Sequence, residues 1–166
     1  MARLVLVGLP GVGKTTLAAV LAQRWSCAAI DTDDVLANSV GESASQFLRE
    51  HGEAEFRVRE LDALRHAVEG DAVVATGAGV VTTEAARELI AKEVAIWLDC
   101  DDETLTLRVG TGERPLLGDD HAEALARLRA ERTAWYESVA RLRVDASGTS
   151  DEVAERVLEA LRSVSP

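Results

Sequence analysis

The stretch Gly8-Leu9-Pro10-Gly11-Val12-Gly13-Lys14-Thr15-Thr16 constrains this chain more than any other. It follows an apolar run, Leu4-Val5-Leu6-Val7, and leads into a helical pattern from Leu17 to Trp25, so it reads as strand, glycine-rich loop and helix. The spacing has a chemical reason. Glycines let several backbone N–H groups turn inward on a polyphosphate, and the helix starting near Lys14 aims its partial positive end at the same point. In such a loop Lys14 reaches the β- and γ-phosphates, the Thr15 hydroxyl serves a Mg2+ site, and Gly11, Val12, Gly13 and Thr16 complete the nucleotide cradle. A glycine-rich turn that only connected strand to helix would not require Gly-Lys-Thr. Lys14 and Lys92 are the only lysines among 18 basic side chains, so the compact ammonium at position 14 stands out against a preference for arginine.

A length of 166 residues suits one domain with a real core, here taken as residues 1–166. The formal charge of −11 argues against general binding to nucleic acid or to anionic membranes, because that affinity comes mostly from basic side chains neutralising phosphates. An anionic ligand must then be held by local groups. No apolar run approaches a membrane span, and the first one is too short for a signal segment. The expectation is a cytoplasmic monomer acting on a small molecule, with no targeting segment. Cys27 and Cys100 lack metal-ligand spacing and read as buried, reduced thiols, and the three histidines form no cluster.

In chain order, a second strand at 27–30 ends in Asp31-Thr32-Asp33-Asp34, carboxylates at the strand edge where open α/β sheets bind ligands. Residues 33–70 turn helical with breaks at 38–43 and 51–52, which suggests two or three inserted helices. A third strand at 72–75 leads into Thr76-Gly77-Ala78-Gly79, a helix follows at 83–91, and a fourth strand lies at 94–98. A short helix at 102–108 precedes a segment, 109–120, whose glycines and proline around Arg114 describe a mobile lid. A long amphipathic helix at 121–140, a fifth strand at 142–144 and a closing helix at 151–161 complete the pattern. Strands alternating with helices predict a parallel sheet with right-handed crossovers in a three-layer α/β domain.

The guanine-recognition motif of a GTPase is absent, and Asp145-Ala146-Ser147-Gly148 follows the last strand, where no phosphate switch would sit. A motor or assembly ATPase would need an acidic end on the third strand to polarise water, and glycines stand there instead. A small-molecule kinase remains, in which an acceptor hydroxyl is brought in line with the γ-phosphate and water is kept out.

Several motifs in order now carry a resemblance: the phosphate loop, Asp31-Thr32-Asp33, Gly52-Glu53-Ala54-Glu55-Phe56-Arg57, Gly77-Ala78-Gly79, Arg114-Pro115-Leu116-Leu117 and Arg132-Thr133-Ala134-Trp135-Tyr136. Spread over 4–161, they make the chain resemble the shikimate kinases. The resemblance implies a P-loop fold of the nucleoside-monophosphate-kinase type, with a five-stranded parallel sheet, a substrate-binding insertion at 33–70 and a lid at 109–120. It implies ATP and Mg2+, with shikimate as acceptor.

By residue, the resemblance gives Asp31 to the metal and Asp33 to the acceptor hydroxyls as the proton acceptor, although these carboxylates would also serve as helix caps. Arg57 and Arg132 would clamp the substrate carboxylate, a task suited to planar forked donors. Taken alone, each would read as a solvated surface charge. Phe56, with Phe47, would form an apolar wall, Glu60 would orient Asp33 or Arg57, and Gly77, Ala78 and Gly79 would border the ring. Arg114 would close over the phosphates, while Arg108 and the turn from Ser147 to Thr149 would border adenine. The family usually carries a third glycine where this chain has Ala78, a departure that bears on acceptor choice. A kinase of another polyol or cyclitol, and a non-catalytic nucleotide-binding regulator, remain open alternatives at this point.

Overall fold

A computed structural model describes residues 1–110 and 120–164. Five strands form one sheet in the order β2-β3-β1-β4-β5, with every pairing parallel: β1 (Leu4–Val7), β2 (Ala28–Asp31), β3 (Ala72–Ala75), β4 (Ala95–Asp99) and β5 (Leu142–Asp145). The three inner strands are buried at every position, which is why they read as unbroken apolar runs in the sequence. The edge strands β2 and β5 keep water on part of their surface and carry more polar residues.

The chain leaves β1 to one side for β2 and β3, then passes to the other side for β4 and β5. This makes β1 central and places the loop that follows it in the crevice where open α/β sheets bind ligands. In register, Leu6 and Asp31 both lie opposite Ala75. Thus the phosphate loop, Asp31-Thr32-Asp33 and Thr76-Gly77 leave the sheet at one edge.

Among the described residues the helices are α1 (Lys14–Trp25), α2 (Thr32–Val40), α3 (Ala44–His51), α4 (Glu53–Val68), α5 (Glu84–Ile90), α6 (Asp102–Val109), α7 (His121–Val139) and α8 (Ser150–Val164), with a 3-10 turn at Val80–Thr82. α1 and α8 pack together, and α7 packs against α5, α6 and β4. The insertion expected at 33–70 is the group α2, α3 and α4, which has a small core of its own in Leu36, Phe47, Phe56 and Ala63. Phe47 is spent there, stacked on His51 with 4.2 Å between ring centroids.

Cys100 is buried as expected, whereas Cys27 is only half-buried at the start of the exposed edge strand; both are free thiols. Among the described residues no helix is long and apolar enough to cross a membrane. The lid expected at 109–120 falls almost wholly on residues 111–119, outside the described residues, and Arg114 with it.

Candidate active site

The phosphate loop is built so that its donors stay open. Gly13 adopts a left-handed conformation at φ 102° and caps α1 without any side-chain hydrogen bond, and the first turn of α1 carries no acidic residue. By contrast α2, α3, α6 and α7 each have a side-chain oxygen on their first-turn N–H groups, from Asp31, Ser43, Asp101 and Asp120. An anion is therefore the natural partner for the start of α1. Lys14 is buried, and its Nζ donates to the carbonyls of Gly8 at 2.8 Å and Leu9 at 3.0 Å, which holds the ammonium over the loop.

Arg108, from α6, ties this loop to the turn after β5 by donating to the carbonyls of Val12 (3.1 Å), Ala146 (3.0 Å) and Gly148 (3.1 Å). Ala146 and Gly148 line the cleft, as Arg108 does. Ser147, expected at the adenine, is not among the lining residues. Its N–H and hydroxyl both go to the Asp145 carboxylate, at 2.9 and 2.7 Å, and shape the turn instead.

Asp31 uses both of its carboxylate oxygens. One carboxylate oxygen accepts the Asp33 N–H at 2.9 Å and caps α2, while the other accepts the Thr15 hydroxyl at 2.5 Å. Two hard oxygen donors thus meet where the phosphate loop faces the end of β2, a donor set that suits Mg2+. Asp33 is exposed to the cleft, and its carboxylate lies against the second glycine turn: a Cβ on Gly77 would come within 3.2 Å of Asp33 Oδ1 and 2.6 Å of Glu60 Oε1.

Beyond Asp33 lies a group of buried charges. Arg57 and Arg132 are 8% and 4% exposed, far from the solvated state each would suggest alone. Arg57 donates to Glu60 at 2.8 Å and to Glu53 at 3.1 Å, one helical turn to either side on α4. Among the described residues the ion pair of Arg132 is a long one, 3.9 Å to Glu131, and its charge also acts on Glu60 and on the Tyr136 hydroxyl. The Nε of each arginine is buried without a hydrogen-bond partner. Buried donors left unpartnered are costly unless a ligand completes them. Burial raises the Glu60 carboxyl above its ordinary range, against the pull of Arg57, and the nearby Asp33 charge adds to the rise.

These parts share one cleft of about 550 Å³, with the phosphate loop at one end and Asp33, Phe56, Arg57, Gly77, Ala78, Gly79 and Arg132 at the other. Phe56 lines this cleft together with Leu48 and Leu128, and Phe47 is not among its lining residues. The Gly77-Ala78-Gly79 turn is pinned by Thr32, whose hydroxyl accepts the Gly77 N–H at 3.0 Å, and by Tyr136, whose hydroxyl donates to the Ala78 carbonyl at 2.6 Å. Neither role was visible in the sequence. The only signal was the four-residue spacing from Arg132 to Tyr136, which puts both on one face of a helix.

A family model described as shikimate kinase matches residues 10–162. The shikimate kinase of Corynebacterium jeikeium is 38% identical over 148 residues, which cover 88% of this chain and 80% of that protein. That of Mycobacterium tuberculosis is 36% identical over 166 residues, covering 98% and 94%. Among solved structures, a shikimate kinase from Acinetobacter baumannii in complex with shikimate superposes with a TM-score of 0.92 at 28% identity, covering 96% of this chain and 92% of that one. A gluconokinase from Sinorhizobium meliloti, with a TM-score of 0.65 at 16% identity over 98% of this chain and 93% of that one, shares the fold alone.

Proposed function

The chain belongs to the shikimate kinase family, and from that premise we propose that it transfers the γ-phosphoryl group of ATP to the 3-hydroxyl of shikimate, giving shikimate 3-phosphate and ADP. The observation that carries this reading is the pair Arg57 and Arg132, buried with unpartnered Nε atoms in the same cleft as the phosphate loop. A nucleotide sensor has no use for a second cationic pocket. A neutral polyol would leave the Arg132 charge, whose ion pair to Glu131 is 3.9 Å long, uncompensated beside Arg57 and its two glutamates, whereas a carboxylate completes the pocket with charge-assisted hydrogen bonds.

In the proposed reaction the α1 N-terminus and Lys14 hold the β- and γ-phosphates, with Lys14 turning from its loop carbonyls to the nucleotide. Asp33 accepts a hydrogen bond from the acceptor hydroxyl and takes its proton as the oxygen bonds to phosphorus and the bond to ADP breaks. Arg57 and Arg132 fix the acid at the far end of the cleft, so that the hydroxyl is oriented rather than merely bound. Thr15 and Asp31 would hold Mg2+, which supplies charge neutralisation on the phosphates. Arg114, outside the described residues, is assigned by its motif position to the transferring phosphoryl group.

The test is ADP release by the purified chain with Mg2+, ATP and a panel of hydroxylated acids and neutral polyols. Turnover that depends on shikimate and exceeds that with every other acceptor supports the proposal. Equal turnover with a neutral polyol would leave the arginine pair without a purpose and count against it.

A further inference from the structure

The motif residue left without a part in this scheme is Tyr136. It follows Arg132 by one turn of α7, so the two side chains leave the helix on the same side. Its ring is 1% exposed and stacks on Trp97 of β4, 5.9 Å between centroids and 25° between planes. The hydroxyl donates to the Ala78 carbonyl at 2.6 Å.

That single bond fixes more than a carbonyl. The Ala78 carbonyl and the Gly79 N–H belong to one planar trans peptide, so they point in opposite directions, and whatever aims the oxygen also aims the N–H. Other anchors of the turn act on other atoms. The Gly77 N–H goes to Thr32, the Gly77 carbonyl accepts the Val80 N–H at 3.2 Å, and the Gly79 carbonyl accepts from the Thr82 hydroxyl at 2.7 Å. Among the described residues the Ala78 carbonyl has no hydrogen bond besides the one from Tyr136, and the Gly79 N–H has none at all. Gly79 lines the cleft and lies against the Arg57 guanidinium.

We propose that Tyr136 is a positioning residue for acceptor recognition: through the Ala78 carbonyl it aims the Gly79 N–H at the acceptor and sets the spacing between the glycine turn and Arg132 on its own helix. The inference rests on shikimate being the acceptor. Burial pushes the ionisation of the Tyr136 phenol well above its ordinary value, only partly offset by the Arg132 charge, so the hydroxyl remains a donor at any working pH. A rigid ring stacked on a sheet strand is a better ruler than a flexible side chain, because it has few ways to relax.

Tyr136→Phe keeps the ring and removes the hydroxyl, and with it both the bond to the Ala78 carbonyl and the contact with Arg132. The KM for shikimate is expected to rise about tenfold, the scale of one lost hydrogen bond in a ligand-facing turn, with the KM for ATP within about twofold and kcat falling less than KM rises. Trp97→Phe loosens the packing of the same ring but leaves the hydroxyl, and should lower the melting temperature while raising the shikimate KM less than Tyr136→Phe does. A second measurement needs no variant: in the wild-type chain, shikimate should slow hydrogen exchange at the Gly79 amide. An unchanged shikimate KM in Tyr136→Phe, an equal rise in both KM values, or a Gly79 amide indifferent to shikimate each overturns the inference. If wild-type chain does not turn over shikimate, both this inference and the function beneath it fall; if it does, those three outcomes count against Tyr136 alone.

Discussion

Gly79 lies so close to the guanidinium of Arg57 that a Cβ at this position would overlap it. The glycine turn and the buried arginine are therefore one unit, and the two neighbours Ala78 and Gly79 must respond to substitution in opposite ways. Gly79→Ala should displace the guanidinium from Glu60 and raise the shikimate KM roughly ten- to a hundredfold, as a charged hydrogen bond is lost, while ATP binding alone changes little. Steady-state kinetics in both substrates, with a melting curve to confirm folding, checks this.

Ala78 is the contrasting case. Among the described residues Ser26 is the only non-glycine with positive φ, so Ala78 has an ordinary backbone and gains nothing from becoming glycine. Ala78→Gly should change kcat/KM for shikimate by less than about threefold. A gain of about tenfold or more would mean that the methyl group crowds the ring and that the pocket is shaped for another acceptor.

The short bond from Thr15 to Asp31 leads to a prediction about the metal. Asparagine caps helices as well as aspartate does, so Asp31→Asn should keep α2 and the fold but lose the charge. Its Mg2+ titration curve for activity should shift to higher concentration with the shikimate KM unchanged. An unaltered Mg2+ curve would remove Asp31 from the metal site.

Glu60 supplies a pH signature. Its carboxyl is raised above the ordinary 4.5, chiefly by burial. The folded state therefore holds this proton more tightly than the unfolded state, so the contribution of Glu60 to stability is greatest below the unfolded value and is lost as pH rises through the folded one. Glu60→Gln lacks this proton. The stability of wild type minus that of the variant, from denaturant unfolding, should fall between pH 4 and neutrality. A difference that grew over that window would show the attraction of Arg57 outweighing burial.

The sheet was readable because its three inner strands are buried on both faces and had to be continuous apolar runs; the phosphate loop was readable because its chemistry fixes residue types at fixed spacing. What escaped the sequence depends on side-chain direction at polar positions. Ser147 sits in the turn after β5, where its hydroxyl satisfies Asp145 two residues back. Phe47 has the right character for a pocket wall but fills the small core between the inserted helices. Asp99 gave no signal at all, though it is buried at the end of β4 and accepts from Arg129 at 2.7 Å and Arg143 at 2.5 Å, contacts between residues 30 or more apart in the chain. Arg57 and Arg132, each a surface charge if taken alone, were singled out only by their motif positions, and the fold buries both in one cleft.

That pair carries the central claim, and its most direct measurement compares shikimate with its uncharged methyl ester as acceptors for wild type, Arg57→Ala and Arg132→Ala. If the arginines clamp the acceptor carboxylate, the wild type should prefer shikimate in kcat/KM by about tenfold or more, each substitution should cost shikimate roughly ten- to a hundredfold, and the ester should lose far less. Equal losses for acid and ester, or a wild type indifferent between them, would contradict it.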